Sequence, residues 1–220
     1  MSVIKHENQR VGVFLDAQNL YHSAKNLHRG RVNFEAVLAN ALAGRQLVRA
    51  IAYVITTETG EEKNFFEALT KIGIETKTKD LQIFSSGSKK ADWDVGLAID
   101  AVKLAPKLDV VVLASGDGDF VPLVEYLKMQ GCQVEVITFG KSASGKLKEV
   151  ADDFIDMDEK PGEYVMGRGS DRGSDRGAGR DERGADRGDR GFDRNNDRGN
   201  RDNRNEDKPS RMTKVIRKLR

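Results

Sequence analysis

Residues 109–120 read DVVVLASGDGDF, a run of β-branched and aliphatic side chains that stops at a small acidic loop. Val110 to Leu113 show no polar alternation, which is the pattern of a parallel strand covered on both faces. Chemistry is then expected at its carboxyl end. Ala114, Ser115, Gly116 and Gly118 are small enough for a sharp turn, and they present Asp117 and Asp119 just before a helix with Pro122 in its first turn. Two carboxylates in one tight loop repel each other unless they share a cation. The competing reading makes one an N-cap and the other a solvated turn residue.

Downstream of this loop the pattern predicts a helix over 120–130 stopped by Gly131, a strand over 133–139, a short helix over 146–150 and a last strand over 154–157. Upstream lies a helix over 92–104. Stepping about 100° per residue, Asp94 falls in the middle of its apolar face, among Leu97, Ala98, Ala101, Val102, Leu104 and Ala105. A lone carboxylate there is costly and calls for a cation or several donors. Asp92 reads as the N-cap of this helix, and Asp100 lies at the edge of the apolar face, equally suited to a ligand or a structural role.

The first strand, 11–15, ends at Asp16 and leads through Asn19 into a helix over 20–27. Asn33 caps a second helix over 34–43. A strand over 47–55 follows, then a helix over 61–72 with Phe65, Phe66, Leu69 and Ile72 on one face. Residues 74–79 and 81–84 are short strand candidates, and 85–90 reads as a polar loop.

Strands separated by helices imply right-handed crossovers and a mostly parallel three-layer αβα sheet. Ligands of such sheets bind at the carboxyl ends of the strands, where the strand order reverses. Asp16, Asp94, Asp117 and Asp119 are thus four carboxylates offered by three segments to one edge. Hard oxygen donors without His or Cys select Mg²⁺ or Mn²⁺, ions used most often on phosphate esters. Asn19 and Ser115 are neutral groups able to orient a carboxylate, a water or a phosphate oxygen, or simply to cap a helix end and a turn. Lys89, Lys90, Lys141 and Lys146 are expected on the same edge, where they could grip backbone phosphates or form a solvated face.

The net charge of +2 hides a split: residues 161–220 carry 17 basic and 12 acidic side chains, leaving 20 and 23 for residues 1–160. A mildly acidic domain with a basic tail suits an anionic partner. Residues 161–208, rich in Arg, Gly and Asp, have almost nothing to bury and are expected to be disordered. In residues 209–220, Met212, Val215, Ile216 and Leu219 fall at helical spacing among basic residues, a segment suited to a protein or nucleic-acid partner. Cys132, the one cysteine, excludes an intrachain disulfide and a Cys-based zinc site, and reads as a core thiol. No apolar run approaches a membrane span, and the polar start lacks a secretory hydrophobic region, so the expected location is the cytoplasm.

FLDAQNLY, KKADWDVGLAIDAV and VVLASGDGDFVPLVEYLKMQGCQVEVITFG resemble the motifs of LabA-like NYN domains, of the PIN-like nuclease superfamily. The likeness covers about residues 11–157. It implies a Mg²⁺- or Mn²⁺-dependent ribonuclease with central strand order 3-2-1-4-5, an NYN/PIN-like domain over 1–160, and Asp16, Asn19, Asp94, Asp117 and Asp119 at the family's active-site positions. RNA is the implied partner, and a second copy of the chain is compatible. Two rivals stand beside the endoribonuclease. A haloacid-dehalogenase-like phosphatase also begins with a strand-ending Asp, but needs a second acid where Gln18 stands. An RNA-binding or regulatory module with little turnover would keep the same ligands.

Overall fold

The computed structural model describes residues 3–56, 63–80, 82–83, 89–90 and 92–167, and the side chains of 3–56, 63–79 and 92–167. Its centre is a parallel sheet of six strands: β1 (Arg10–Asp16), β2 (Gln46–Thr56), β3 (Glu75–Asp80), β4 (Val110–Ala114), β5 (Gln133–Thr138) and β6 (Asp153–Asp156). Their spatial order is 3-2-1-4-5-6. The expected order 3-2-1-4-5 is therefore present, with β6 added beyond β5 through pairs from Glu135–Asp153 to Thr138–Asp156. In the middle of the sheet β1 lies between β2 and β4, with Leu15 opposite Ala52 and Ala114. All five residues of β4 are buried, as a strand covered on both faces requires.

Helices α1 (Ala17–His28), α2 (Phe34–Leu42) and α3 (Lys63–Lys71) pack one core with Val11, Val13 and Leu15 of β1. Helices α4 (Asp94–Leu104), α5 (Val121–Met129) and α6 (Gly145–Val150) pack the other with Phe14, Val111 and Leu113. The chain thus leaves β1 over one face toward β2 and β3, then crosses under the other to β4, β5 and β6. The reversal falls between β1 and β4, so Asp16 and the loop after Ala114 flank the crevice.

Several local expectations hold in detail. Asn33 caps α2, its side chain accepting from the Ala36 amide. Cys132 is buried, its thiol facing the carbonyls of Ala105 and Leu108. Leu69 is buried, with Phe65, Phe66 and Ile72 partly buried against the same core.

Others are corrected. Helix α4 starts at Asp94, and its N-cap position is Trp93, so Asp92 is not the cap. Lys89–Lys90 form a short antiparallel pairing with Gln82–Ile83 instead of a loop. The chain also stays packed beyond the boundary expected at residue 160. Pro161–Tyr164 forms a helical turn, α7, and Val165–Met166 pairs antiparallel with Arg31–Val32. Tyr164 and Val165 are buried, and the Tyr164 carbonyl accepts from the Asn33 amide. Two apolar anchors set just ahead of a Gly-rich run were hidden by the composition around them. Residues 168–220, which hold the rest of the expected tail, lie outside the described residues, as do the side chains of Lys89 and Lys90.

At the opposite edge from the crevice, Arg45 and Glu135 form a buried bidentate ion pair of 2.6 and 2.9 Å. Arg45 also donates to the carbonyls of Leu42 and Ala41, closing the end of α2 and fastening it to β5. No helix among the described residues is long and apolar enough to cross a membrane.

Candidate metal centre

Asp16 is the last residue of β1 and the N-cap of α1. One carboxylate oxygen accepts from the Asn19 amide at 3.0 Å, the other from the Ser115 hydroxyl at 3.1 Å. Ser115 is fully buried, and its oxygen accepts in turn from the Asp117 amide at 3.2 Å. The Asn19 side-chain oxygen accepts from the Gly116 amide at 3.0 Å. These four bonds lock the end of β1, the first turn of α1 and the loop after β4 into one unit. Asn19 and Ser115 therefore act as positioning groups, holding Asp16 and the acidic loop in register.

The loop itself is braced from the far side. The Gly116 carbonyl accepts from the Ser144 amide at 2.9 Å. A Cβ on Gly116 would lie 3.1 Å from the Ala143 Cα, and one on Gly118 would lie 2.9 Å from the Ser144 hydroxyl. Glycine is needed here for close approach, not for a positive φ. Asp117 then caps the 3-10 turn Gly118–Phe120 by accepting from the Asp119 amide at 2.9 Å. That turn feeds α5, with Pro122 near its start. The N-cap reading of Asp117 is correct, and it does not compete with a ligand role, because capping occupies one lone pair of one oxygen.

Asp94 reaches the loop from the first residue of α4. Of the apolar stripe around it, Leu97, Ala101 and Ala105 are buried and Ala98 and Leu104 partly so, but Val102 is exposed, and the carboxylate emerges at the rim, half-buried. One carboxylate oxygen each from Asp94, Asp117 and Asp119 come within 4.8 Å of one another. Burial, and then the charges of Asp16, Asp117, Asp92 and Asp119, push the Asp94 carboxyl up to about 6. Asp16 is raised as well, by burial first, against the opposing hydrogen bonds from Asn19 and Ser115. The donor set is all oxygen, anionic and mutually repelling, which fits a hard divalent cation such as Mg²⁺ or Mn²⁺. Asp94, Asp117 and Asp119 are the residues that would hold it, with Asp16 behind them.

Trp93 is the positioning residue that the sequence left unread. Its indole nitrogen donates to the Val54 carbonyl at 3.0 Å, and its ring meets Tyr53 edge-on at 5.5 Å. This pins the start of α4 to the end of β2 and so fixes Asp94. The lone tryptophan immediately before a candidate ligand was the available signal. Asp100 is structural: it accepts from the Tyr53 hydroxyl at 2.8 Å and pairs with Lys77 at 2.6 Å. Lys141 and Lys146 are exposed, in the 3-10 turn Gly140–Ser142 and in α6. Lys148, in the same helix, is instead tied to the Gly140 carbonyl at 2.6 Å.

Residues 10–158 match the family model of the NYN domain. The chain is 26% identical over 159 residues to the "Low amplitude and bright protein LabA" of Synechococcus elongatus, an alignment covering 68% of this chain and 84% of that protein. A crystal structure of a protein of unknown function from Vibrio parahaemolyticus superposes with a TM-score of 0.67 at 29% identity, over 74% of this chain and all of that one. With the family model spanning most of the chain, and the acidic loop, Asp16 and Asp94 all inside the matched residues, this chain belongs to the NYN domain family.

Proposed function

We propose that this protein is a divalent-cation-dependent endoribonuclease that works at Asp94, Asp117 and Asp119. The observation that carries the reading is the meeting of these three carboxylates, from two separate segments, within 4.8 Å at the crevice where the strand order reverses. Repulsion among like charges at this distance disfavours a fully ionised cluster, and a shared cation relieves it. When bound, Mg²⁺ or Mn²⁺ supplies Lewis acidity toward a phosphodiester and makes a nearby water more acidic.

The chain's own residues do the rest. Asp117 is held at its backbone amide by the Ser115 hydroxyl, and one of its carboxylate oxygens accepts from the Asp119 amide. Asp16, fixed at both oxygens, backs the cluster with negative charge and keeps α1 in place. Trp93 and the Ala143–Ser144 contact hold Asp94 and the loop against each other's repulsion. Lys141 and Lys146, with Lys89 and Lys90, offer cations to RNA phosphates, and the basic residues 209–220 hold the substrate nearby. This reading places the protein in the cytoplasm, acting on RNA.

The test is cleavage of a mixed set of end-labelled RNAs by the purified chain with Mn²⁺ or with EDTA, beside Asp117→Asn. Cleavage by the wild type with Mn²⁺ alone, and none by the variant, supports the reading. RNA binding without cleavage under every condition would replace the enzyme with a regulatory RNA-binding module.

A further inference from the structure

The outer face of α1 carries a second, differently built surface. Gln18, Tyr21, His22, Lys25, Asn26 and Arg29 are all exposed, and no acidic residue occurs between Asp16 and Arg31. Among the described residues neither Lys25 nor Arg29 takes part in an ion pair, whereas His28, on the inner side, is paired with Asp158 at 2.6 Å. Tyr21 and His22 meet edge-on with ring centroids 5.5 Å apart, and the Lys25 ammonium lies 5.6 Å from the Tyr21 ring centre. An aromatic ring that is 45% exposed yet contacted by a neighbouring ring and a cation is a preformed platform.

The platform belongs to the crevice by construction. Helix α1 is capped by Asp16, its Asn19 side chain accepts from the Gly116 amide, and its Ser23 hydroxyl accepts from Ser142, beside the exposed Lys141. Tyr21 and Lys25 are four residues apart, roughly 6 Å along the axis and turned by about 40°, and Arg29 follows just past the helix end as its left-handed C-cap. They form a short ladder that leads away from the carboxylates. A carboxylate cluster by itself repels a polyanion, so a substrate strand needs a cationic approach next to it.

The geometry points to this face of α1 as a track for single-stranded RNA, with one base stacked on Tyr21 and the adjoining phosphates met by Lys25 and Arg29. The substrate class rests on the ribonuclease reading, but the contact does not depend on turnover. Single strands fit because stacking needs an unpaired base, and base-aromatic stacking is tolerant of sequence.

The test is binding of a fluorescein-labelled 12-nucleotide single-stranded RNA, and of the same sequence as a duplex, to the full chain in EDTA, by anisotropy. Tyr21→Ala is expected to weaken single-strand binding by about five- to hundredfold, the equivalent of one stacked base, while Tyr21→Phe keeps it and duplex binding changes little. The double variant Lys25→Ala/Arg29→Ala is expected to lower the salt slope by about 1.4, two counterions at roughly 0.7 each. Unchanged affinity in Tyr21→Ala together with an unchanged slope in the double variant overturns the track, as does equal loss for strand and duplex. Wild-type binding without cleavage in Mn²⁺ would fail the ribonuclease reading and leave the track standing. Cleavage with wild-type binding in all three variants would do the reverse.

Discussion

Asp94 concentrates the electrostatic problem of this fold. Its carboxyl is pushed up to about 6, whereas an unfolded-chain aspartate titrates near about 4. Between those values the folded state holds more protons than the unfolded one, so stability contributed by the protonated group is complete below about pH 4 and is lost as pH rises to about 6. In EDTA, Asp94→Asn is expected to melt higher than the wild type at pH 7, and to lose less of its melting temperature between pH 4.5 and 6.5. Mn²⁺ is expected to raise the wild-type melting temperature and to leave that of the variant nearly unchanged. Thermal melts at the two pH values, with and without metal, check both statements. A wild-type Mn²⁺ response retained by the variant would mean that Asp94 holds no cation.

Among the elements, the acidic loop is held by its neighbours on two sides. A Cβ on Gly116 would lie only 3.1 Å from the Ala143 Cα, so Gly116→Ala asks the loop or residues 143–144 to give by a few tenths of an ångström. Misplacing Asp117 by a fraction of an ångström is expected to cut Mn²⁺-dependent cleavage on the order of tenfold or more, at a stability cost of about 1–3 kcal/mol. Steady-state cleavage and urea unfolding of the same variant separate the two effects. What could be read of these elements beforehand follows from how local each signal is. The buried run of β4 and the Asn33 cap depend on neighbours in sequence, and each appears as expected. The start of α4 does not: Asp92 looks like a cap locally, but the Trp93 bond to Val54 draws the helix start to Asp94. The Ser115 bond to Asp16 likewise joins residues 99 positions apart, so sequence could supply the two side chains but not their pairing. The strand pairing of Lys89–Lys90 with Gln82–Ile83 lies in a stretch whose polarity suggested only a loop.

At the scale of the whole molecule, a buried ion pair closes the edge remote from the site. Arg45 and Glu135 lie 90 residues apart and are both buried, and Glu135 also lies 3.4 Å from Lys5. Arg45→Met leaves a buried carboxylate without its main partner and should cost about 3–5 kcal/mol, whereas Arg45→Met/Glu135→Met should cost much less. Urea titrations of the two variants decide it, and equal losses would assign the pair to packing alone. Charge is divided unevenly along the chain: residues 1–160 are net −3, and the whole excess of the tail, +5, comes from residues 209–220. Deleting 209–220 is therefore expected to weaken RNA binding and to flatten its salt dependence by up to about five counterions, at roughly 0.7–0.9 in slope each. Deleting 168–208 should change both far less, and loss of binding in that deletion would move the RNA contact into the Arg-Gly-Asp stretch.

Whether Asp94, Asp117 and Asp119 share a divalent cation is read most directly from Mn²⁺ binding, without relying on turnover. Titrating the full chain with Mn²⁺ and following the free-ion signal by electron paramagnetic resonance should show saturable uptake by the wild type. Asp117→Asn should lose most of that uptake, and Mg²⁺ should compete for it. Equal uptake by the wild type and Asp117→Asn, or none by either, would mean that these carboxylates hold no shared cation.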